Sequence, residues 1–194
     1  MAGSLTVLHT TTLPGPDVTL VPLAAEHAGS LAALVDEDVW AWLSGAVPGT
    51  VPAMQAHVEA AGADPTREAF AVLLDGEPVG STSFYDTDTT HLITEIGHTF
   101  YGRAHWGTRV NPAAKLLLLT EAFDVRGLHR VALRTDHLNT RSQAAIARLG
   151  AVREGVLRSH RARRDGSRRD TVYFSVTRPE WPAVRAGLER RLSA

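Results

Sequence analysis

The stretch from His91 to Thr135 constrains the fold more than any other part of the chain. A strand-like apolar run, His91–Phe100, leads through YGRAHWGTRVNPAAK (Tyr101–Lys115) into a helix-like segment, Pro112–Val125, and then into a second strand-like run, Arg130–Thr135. Leu116–Leu119, Ala122 and Phe123 make that helix apolar around much of its circumference, so it has to be buried. At the junction Asn111 suits the N-cap, and Pro112 suits the first helical position, where a missing N–H costs nothing. A strand–loop–helix junction of this kind gathers free backbone N–H groups at one place. The helix dipole adds to them, and a phosphate or pyrophosphate is the natural ligand.

Two common phosphate loops are excluded by their own mechanics. The Walker pattern nearly matches from Gly97 and from Gly102, but neither frame has the lysine that reaches the terminal phosphates. The dinucleotide fingerprint GxGxxG is absent, as is the acidic ribose partner expected downstream.

Composition narrows the function further. The 194 residues predict one domain with 44% apolar content, enough for a real core. A net charge of −1 argues against a dedicated polyanion binder, so nucleic acid is not the expected partner. With no cysteine, a disulfide framework, a thiolate zinc site and a thiol nucleophile are all excluded. No basic start followed by an apolar run marks a signal peptide, and no segment approaches the roughly 20 apolar residues of a membrane span. These features predict a soluble, cytoplasmic protein without a membrane partner. Lys115 is the only lysine, and the abundance of Ala, Gly, Val and Arg reads as codon bias.

Along the chain, Met1–Pro16 reads as a loose leader, Asp17–Leu23 as a strand and Glu26–Glu37 as a helix. Val39–Thr50, with Trp40 and Trp42, is irregular; Val51–Ala61 is helical. Ala69–Leu74 and Val79–Tyr85 flank Asp75-Gly76, a strong hairpin signal. After the central unit come a helix at Thr140–Leu149 ended by Gly150, a second hairpin (Val152–Ala162 and Asp170–Thr177 around Asp165-Gly166), and an amphipathic helix over Pro179–Leu192. The expected architecture is α/β, a mixed sheet with flanking helices.

This order resembles the GNAT superfamily of N-acetyltransferases over nearly the whole chain. The acyl-CoA pyrophosphate loop of that family, Q/R-x-x-G-x-G/A, falls on AHWGTR (Ala104–Arg109), where Gly107 matches and Ala104 and Arg109 depart. EIGHTF, WGTRVN, NTRSQAAIARLGA, REGVLR and DGSRRDTVYFSV, which together span Glu95–Val176, most resemble the branch containing the ribosomal-protein N-terminal acetyltransferases.

The resemblance implies a GNAT fold in which the strands His91–Phe100 and Arg130–Thr135 splay and the pantetheine arm of acetyl-CoA lies between them. Thr99, Phe100 and Tyr101 would pair with the arm, and the amides of Trp106, Gly107, Thr108, Arg109, Val110 and Asn111 would hold the pyrophosphate. Asn139, a helix cap in its own right, would contact the pantetheine amides. Ser142 would face the thioester sulfur and protonate the departing thiolate, because the tyrosine that many relatives use is replaced near Ile146. Glu95 would serve as base for the acceptor amine, with His98 as the alternative. No metal is implied: His98 and His105 lack helical ligand spacing and flanking carboxylates.

The implied activity is acetyl transfer from acetyl-CoA to a primary amine in a ternary complex. A fold that binds acyl-CoA without catalysis is the alternative. The acceptor and the oligomeric state, including a homodimer, stay open. RSHRARRDGSRRD (Arg158–Asp170) carries six arginines and reads as a solvated hairpin, an anion patch or, less well for want of aromatics, a nucleic-acid contact.

Overall fold

A computed structural model describes residues 11–193. A seven-stranded mixed sheet runs through the protein: β1 (Thr19–Pro22), β2 (Arg67–Leu74), β3 (Glu77–Asp88), β4 (Ile93–Tyr101), β5 (Arg130–Asp136), β6 (Val152–Ala162) and β7 (Arg168–Thr177). Their spatial order is β1-β2-β3-β4-β5-β7-β6. Every neighbouring pair is antiparallel except β4–β5. That pair is joined by α4 (Val110–Thr120), as a parallel pair requires a crossover long enough to return the chain.

The remaining helices are α1 (Ala28–Leu34), α2 (Glu37–Trp40), α3 (Val51–Ala63), α5 (Thr140–Ala147) and α6 (Trp181–Ser193). Local chemistry explains several boundaries. Asp75 and Gly76 take φ values of 52° and 85°, the left-handed pair that closes a two-residue hairpin. The Asp36 carboxylate accepts from the amides of Asp38 and Val39 and starts α2. Thr50 caps α3 in the same way.

Two apolar cores sandwich the sheet. Leu118, Leu119, Phe123 and Trp181 belong to the core beneath α4 and α6, where Trp181 stacks on Phe123. Leu31, Trp40, Met54 and Val58 belong to the other, beneath α1 and α3.

Three expectations need correction. The helix after the loop begins at Val110, not Pro112, and Arg109 is its N-cap, so Asn111 and Pro112 lie within the first turn. Proline is tolerated there because the first four amides of a helix have no intrahelical acceptor. The same helix ends in a π turn, Glu121–Val125. The segment expected to be irregular contains α2, a four-residue helix too short to show periodicity. Of the leader, residues 1–10 lie outside the described residues, whereas Leu13 is buried and exchanges two backbone hydrogen bonds with Leu20.

Candidate active site

β4 and β5 pair over only three positions, Ile93↔Arg130, Thr94↔Val131 and Glu95↔Ala132. Beyond Glu95 the two strands separate. A bulge helps to turn β4 aside: Ser81 pairs with Phe100 and Ser83 with Gly97, so two steps on β3 match three on β4. His98, inside the bulge, takes a left-handed φ of 47°. Gly97 lies against the Tyr85 ring, where an added Cβ would come within 2.6 Å of Cε1. The resulting wedge opens into a cavity of about 870 Å³.

One wall of the wedge is Ile96–Tyr101, whose β5-facing edge has no strand partner, and Leu133–Asp136 forms the other. The loop before α4 closes one end. Gly107 has φ 75° and no atom within 4 Å of where a Cβ would stand, so its backbone is open to a ligand. Trp106 donates its indole N–H to the Tyr101 carbonyl at 2.9 Å, and the Arg141 guanidinium lies 3.5 Å from its ring centroid. Thr108, Asn111, Asn139 and Ser142 also line the cavity. Asn139 caps α5 by accepting from the Ser142 amide at 3.0 Å. Two expected loop residues do not line the cavity by their side chains. Val110 is buried in the core beneath α4, and Arg109 turns outward to pair with Asp17 at 3.0 Å and with the Leu192 carbonyl.

At the closed end of the wedge, Glu95 is buried behind the cavity wall rather than exposed in it. Tyr85 donates its hydroxyl to the Glu95 carboxylate, and Arg134 Nε lies 2.8 Å from Glu95 Oε1. Arg134 Nη1 also donates to the Tyr173 hydroxyl at 3.0 Å. Burial pushes the Glu95 carboxyl above its ordinary range, against the opposing pull of Tyr85 and Arg134. Tyr85 is neutral, its phenol raised by burial and by the Glu95 charge. His98 lines the cavity and is pushed down to about 4 by burial and nearby arginines, so it is an uncharged imidazole at neutral pH.

Lys115, on α4, points at the same wedge from below. It is 5% exposed, and its Nζ donates to Thr82 and Thr99 hydroxyls at 3.1 and 3.0 Å. Desolvation lowers it to about 7.

The β6–β7 hairpin covers the other end. Four steps on β6 between Leu157 and Arg161 match two on β7, and Ser159 takes φ 53°. The bent tip is fastened at two points. Arg163 grips the buried Asp136 with contacts of 2.6 and 3.0 Å, and Arg164 pairs with Glu37 of α2. Burial alone would raise the Asp136 carboxyl, but the hydrogen bond from Arg163 and its charge hold it below the usual carboxylate range. Of the two tryptophans at the C-terminal end of α2, Trp42, just past the helix, lines the cavity, whereas Trp40, its last residue, is a core residue packed edge-on to Phe100 and His57.

The sequence thus located both walls, the loop, Asn139 and Ser142. It missed Tyr85, Arg134, Asp136 and Lys115 as site residues. Only Lys115 left a trace, as a lone lysine on a helix that had to be buried. Among the described residues no group of three or more His, Asp or Glu side chains could hold a metal ion. Nor is any described helix long and apolar enough to cross a membrane.

With this geometry in place the comparisons are decisive for the family. Residues 17–152 match the family described as "Acetyltransferase (GNAT) domain". The chain belongs to the GNAT acetyltransferases. The protein called "Putative ribosomal N-acetyltransferase YdaF" in Bacillus subtilis (strain 168) is 32% identical over 110 residues, 57% of this chain and 59% of that relative's length. A crystal structure of a "putative acetyltransferase" from T. thermophilus is 41% identical, with a TM-score of 0.88 over 93% of this chain and 96% of that one. A GCN5-related N-acetyltransferase from Brucella melitensis, 27% identical, superposes with a TM-score of 0.90 over 96% and 87% of the two chains. The GNAT fold expected from the element order is the fold observed.

Proposed function

We propose that this protein transfers the acetyl group of acetyl-CoA to a primary amine by direct transfer within a ternary complex. The observation that carries the reading is the wedge itself. It has an unpaired strand edge along one wall, an open backbone loop at a helix N-terminus at one end, and a buried carboxylate reached through a tyrosine at the other.

These residues fit acetyl-CoA. The β4 edge at Thr99–Tyr101 offers backbone groups to the pantetheine amides, in the manner of an added strand. The amides of Trp106–Asn111 and the α4 dipole suit the pyrophosphate. Cation–π contact between Arg141 and Trp106 sets a flat apolar surface beside a positive charge at the same end. When bound, the cosubstrate supplies a thioester carbonyl; the amine nitrogen forms a bond to that carbon as the C–S bond breaks.

The protein's tasks are then to remove a proton from the amine and to supply one to sulfur. A carboxyl raised toward neutrality is a better base at pH 7 than an ordinary one. Glu95 cannot touch an amine in the cavity, but Tyr85 can: its hydroxyl accepts the amine proton while passing its own to Glu95. Arg134 holds the carboxylate in register for that relay. His98, with its value near 4, is the weaker base. Ser142, in the first turn of α5, is the proposed donor to the thiolate. Free β4 amides beyond the bulge would polarise the carbonyl. The chain has no cysteine to carry a thioester acyl-enzyme, which favours direct transfer. The Bacillus subtilis relative's name, a ribosomal N-acetyltransferase, makes an amine of a ribosomal component a natural acceptor to test first.

The test is release of free thiol from acetyl-CoA against a panel of amines and N-terminal peptides. Turnover with an amine supports the reading. Tight CoA binding with no turnover on any amine would overturn it.

A further inference from the structure

The charge of the cavity is out of proportion to the charge of the chain. Nine arginines line it against one acid, Asp136, in a protein whose net charge is −1. Most of these cations have an assigned task. Arg163 is held by Asp136, Arg134 by Glu95 and Arg164 by Glu37. Arg141 stands on α5 against Trp106 of the loop, Arg148 is the C-cap of that helix, and Arg191 stands on α6 next to the Leu192 carbonyl that receives Arg109 of the loop. Arg141 and Arg191 thus lie at the loop end of the cavity, which suits the cofactor's phosphates. Arg168 braces the hairpin bulge through the Ser159 hydroxyl and carbonyl.

Arg161 and Arg169 remain. Arg161 makes no ion pair among the described residues, and it sits close enough to Glu95 and His98 for its charge to act on both. Arg169 comes no nearer than 4.0 Å to Asp136, a carboxylate that Arg163 already occupies. Its side chain is 18% exposed, and its Nε is buried without any hydrogen-bond partner. A buried charged donor in that state carries an uncompensated desolvation cost. A guanidinium fork is satisfied best by a carboxylate bound through two parallel N–H···O contacts. Both arginines line the cavity with Tyr85 and His98, next to the proposed proton acceptor and away from the loop that would take the cofactor's phosphates.

Resting on the acetyl-transfer reading, we propose that the acceptor amine carries a carboxylate close to the reacting nitrogen, and that Arg161 and Arg169 bind it. A polyamine, positively charged along its length, would be repelled by the same wall. The carboxylate could come from a free amino acid, or from an acidic side chain among the first residues of a polypeptide.

The experiment compares kcat/KM for matched acceptors at saturating acetyl-CoA: Ser-Asp-Glu- and Ser-Asn-Gln-initiated peptides, and free aspartate and glutamate beside their amides. The acidic member of the pair that matches the natural source should be at least tenfold better. Arg161→Gln and Arg169→Gln should each remove most of that advantage through KM, with CoA affinity unchanged; because Arg161 also acts on Glu95, the readout is the ratio of acidic to neutral acceptor within each variant. Arg161 is exposed, so its variant will fold even if Arg169→Gln does not. Equal kcat/KM for acidic and neutral acceptors overturns the proposal while leaving acetyl transfer intact. Loss of CoA affinity in both variants also overturns it, by assigning these arginines to the cofactor. If no amine turns over, calorimetric titration of N-acetylated acidic and neutral peptides into the CoA-loaded protein decides. Selective binding of the acidic peptide supports carboxylate recognition and removes the transfer reading; absence of binding removes both.

Discussion

Lys115 provides the sharpest test of the energetics. Its ammonium would sit in the core between α4 and the bulged β4, and burial shifts its titration from the ordinary value of 10.5 to about 7. Between these values the unfolded chain binds the proton and the folded chain does not, so stability must rise with pH across the window from about 7 to 10.5. At about 1.36 kcal/mol per unit, the full penalty is on the order of 5 kcal/mol below pH 7, and it shrinks to roughly 2 kcal/mol by pH 9.

Lys115→Met removes the titrating group and keeps the length of the side chain. It forfeits two hydrogen bonds, worth roughly 1 kcal/mol each. Thr82 and Thr99 still bond to each other at 2.8 Å, so no hydroxyl is orphaned. The variant should therefore be more stable by roughly 2 kcal/mol at pH 7, a rise of about 4–8 °C in Tm for a domain of this size. Its advantage should vanish towards pH 9. Urea denaturation of both proteins at half-unit steps from about pH 6.5 to about pH 9.5 measures the difference directly, covering the larger part of the window in which the two states differ in bound protons. Parallel stability curves across that range would mean that Lys115 keeps its charge in the folded state, and the desolvation argument would be wrong.

Three further outcomes follow from the site. Gly107→Glu, at φ 75° in the open loop, should abolish CoA binding in calorimetry while the circular dichroism spectrum persists, because it adds strain and a negative charge where phosphate would lie. Glu95→Gln and Tyr85→Phe should each lower turnover about 10²–10⁴-fold with CoA affinity nearly intact, and higher pH should partly restore both by supplying free amine; wild-type rates in either variant would remove the relay. Asp136→Asn should lower the midpoint in denaturant titration, since it leaves Arg163 and Arg169 in place without their counter-charge; an unchanged midpoint would remove the clamp.

The elements legible in the sequence are those with local causes. Asp75-Gly76 announced its hairpin, the apolar girth of Leu116–Phe123 announced a buried helix, and Gly107 with Asn111-Pro112 marked the loop even though the helix starts two residues earlier. The Tyr85–Glu95–Arg134–Tyr173 network had no such signature. Its members stand 10 and 39 residues apart in sequence and meet only because β3, β4, β5 and β7 lie side by side. Period-2 patterning shows which face a residue occupies, not that an edge becomes free three pairs into a parallel ladder. Trp40 and Trp42 differ by two positions and have opposite fates, core and cavity, because the short helix α2 ends between them.

The three-pair seam between β4 and β5 has a consequence for how the protein behaves in its resting state. An unpaired strand edge ordinarily invites a strand from another molecule, the first step towards aggregation. Here the exposed rungs lie inside a converging crevice roofed by a hairpin that Arg163 and Arg164 fasten down. A slim, flexible chain can slide in; a twisted polypeptide strand with side chains on both faces meets the far wall first. The crevice is in this sense a size filter for hydrogen-bonding partners, and loosening the hairpin should make the ligand-free protein sticky before it makes it slow.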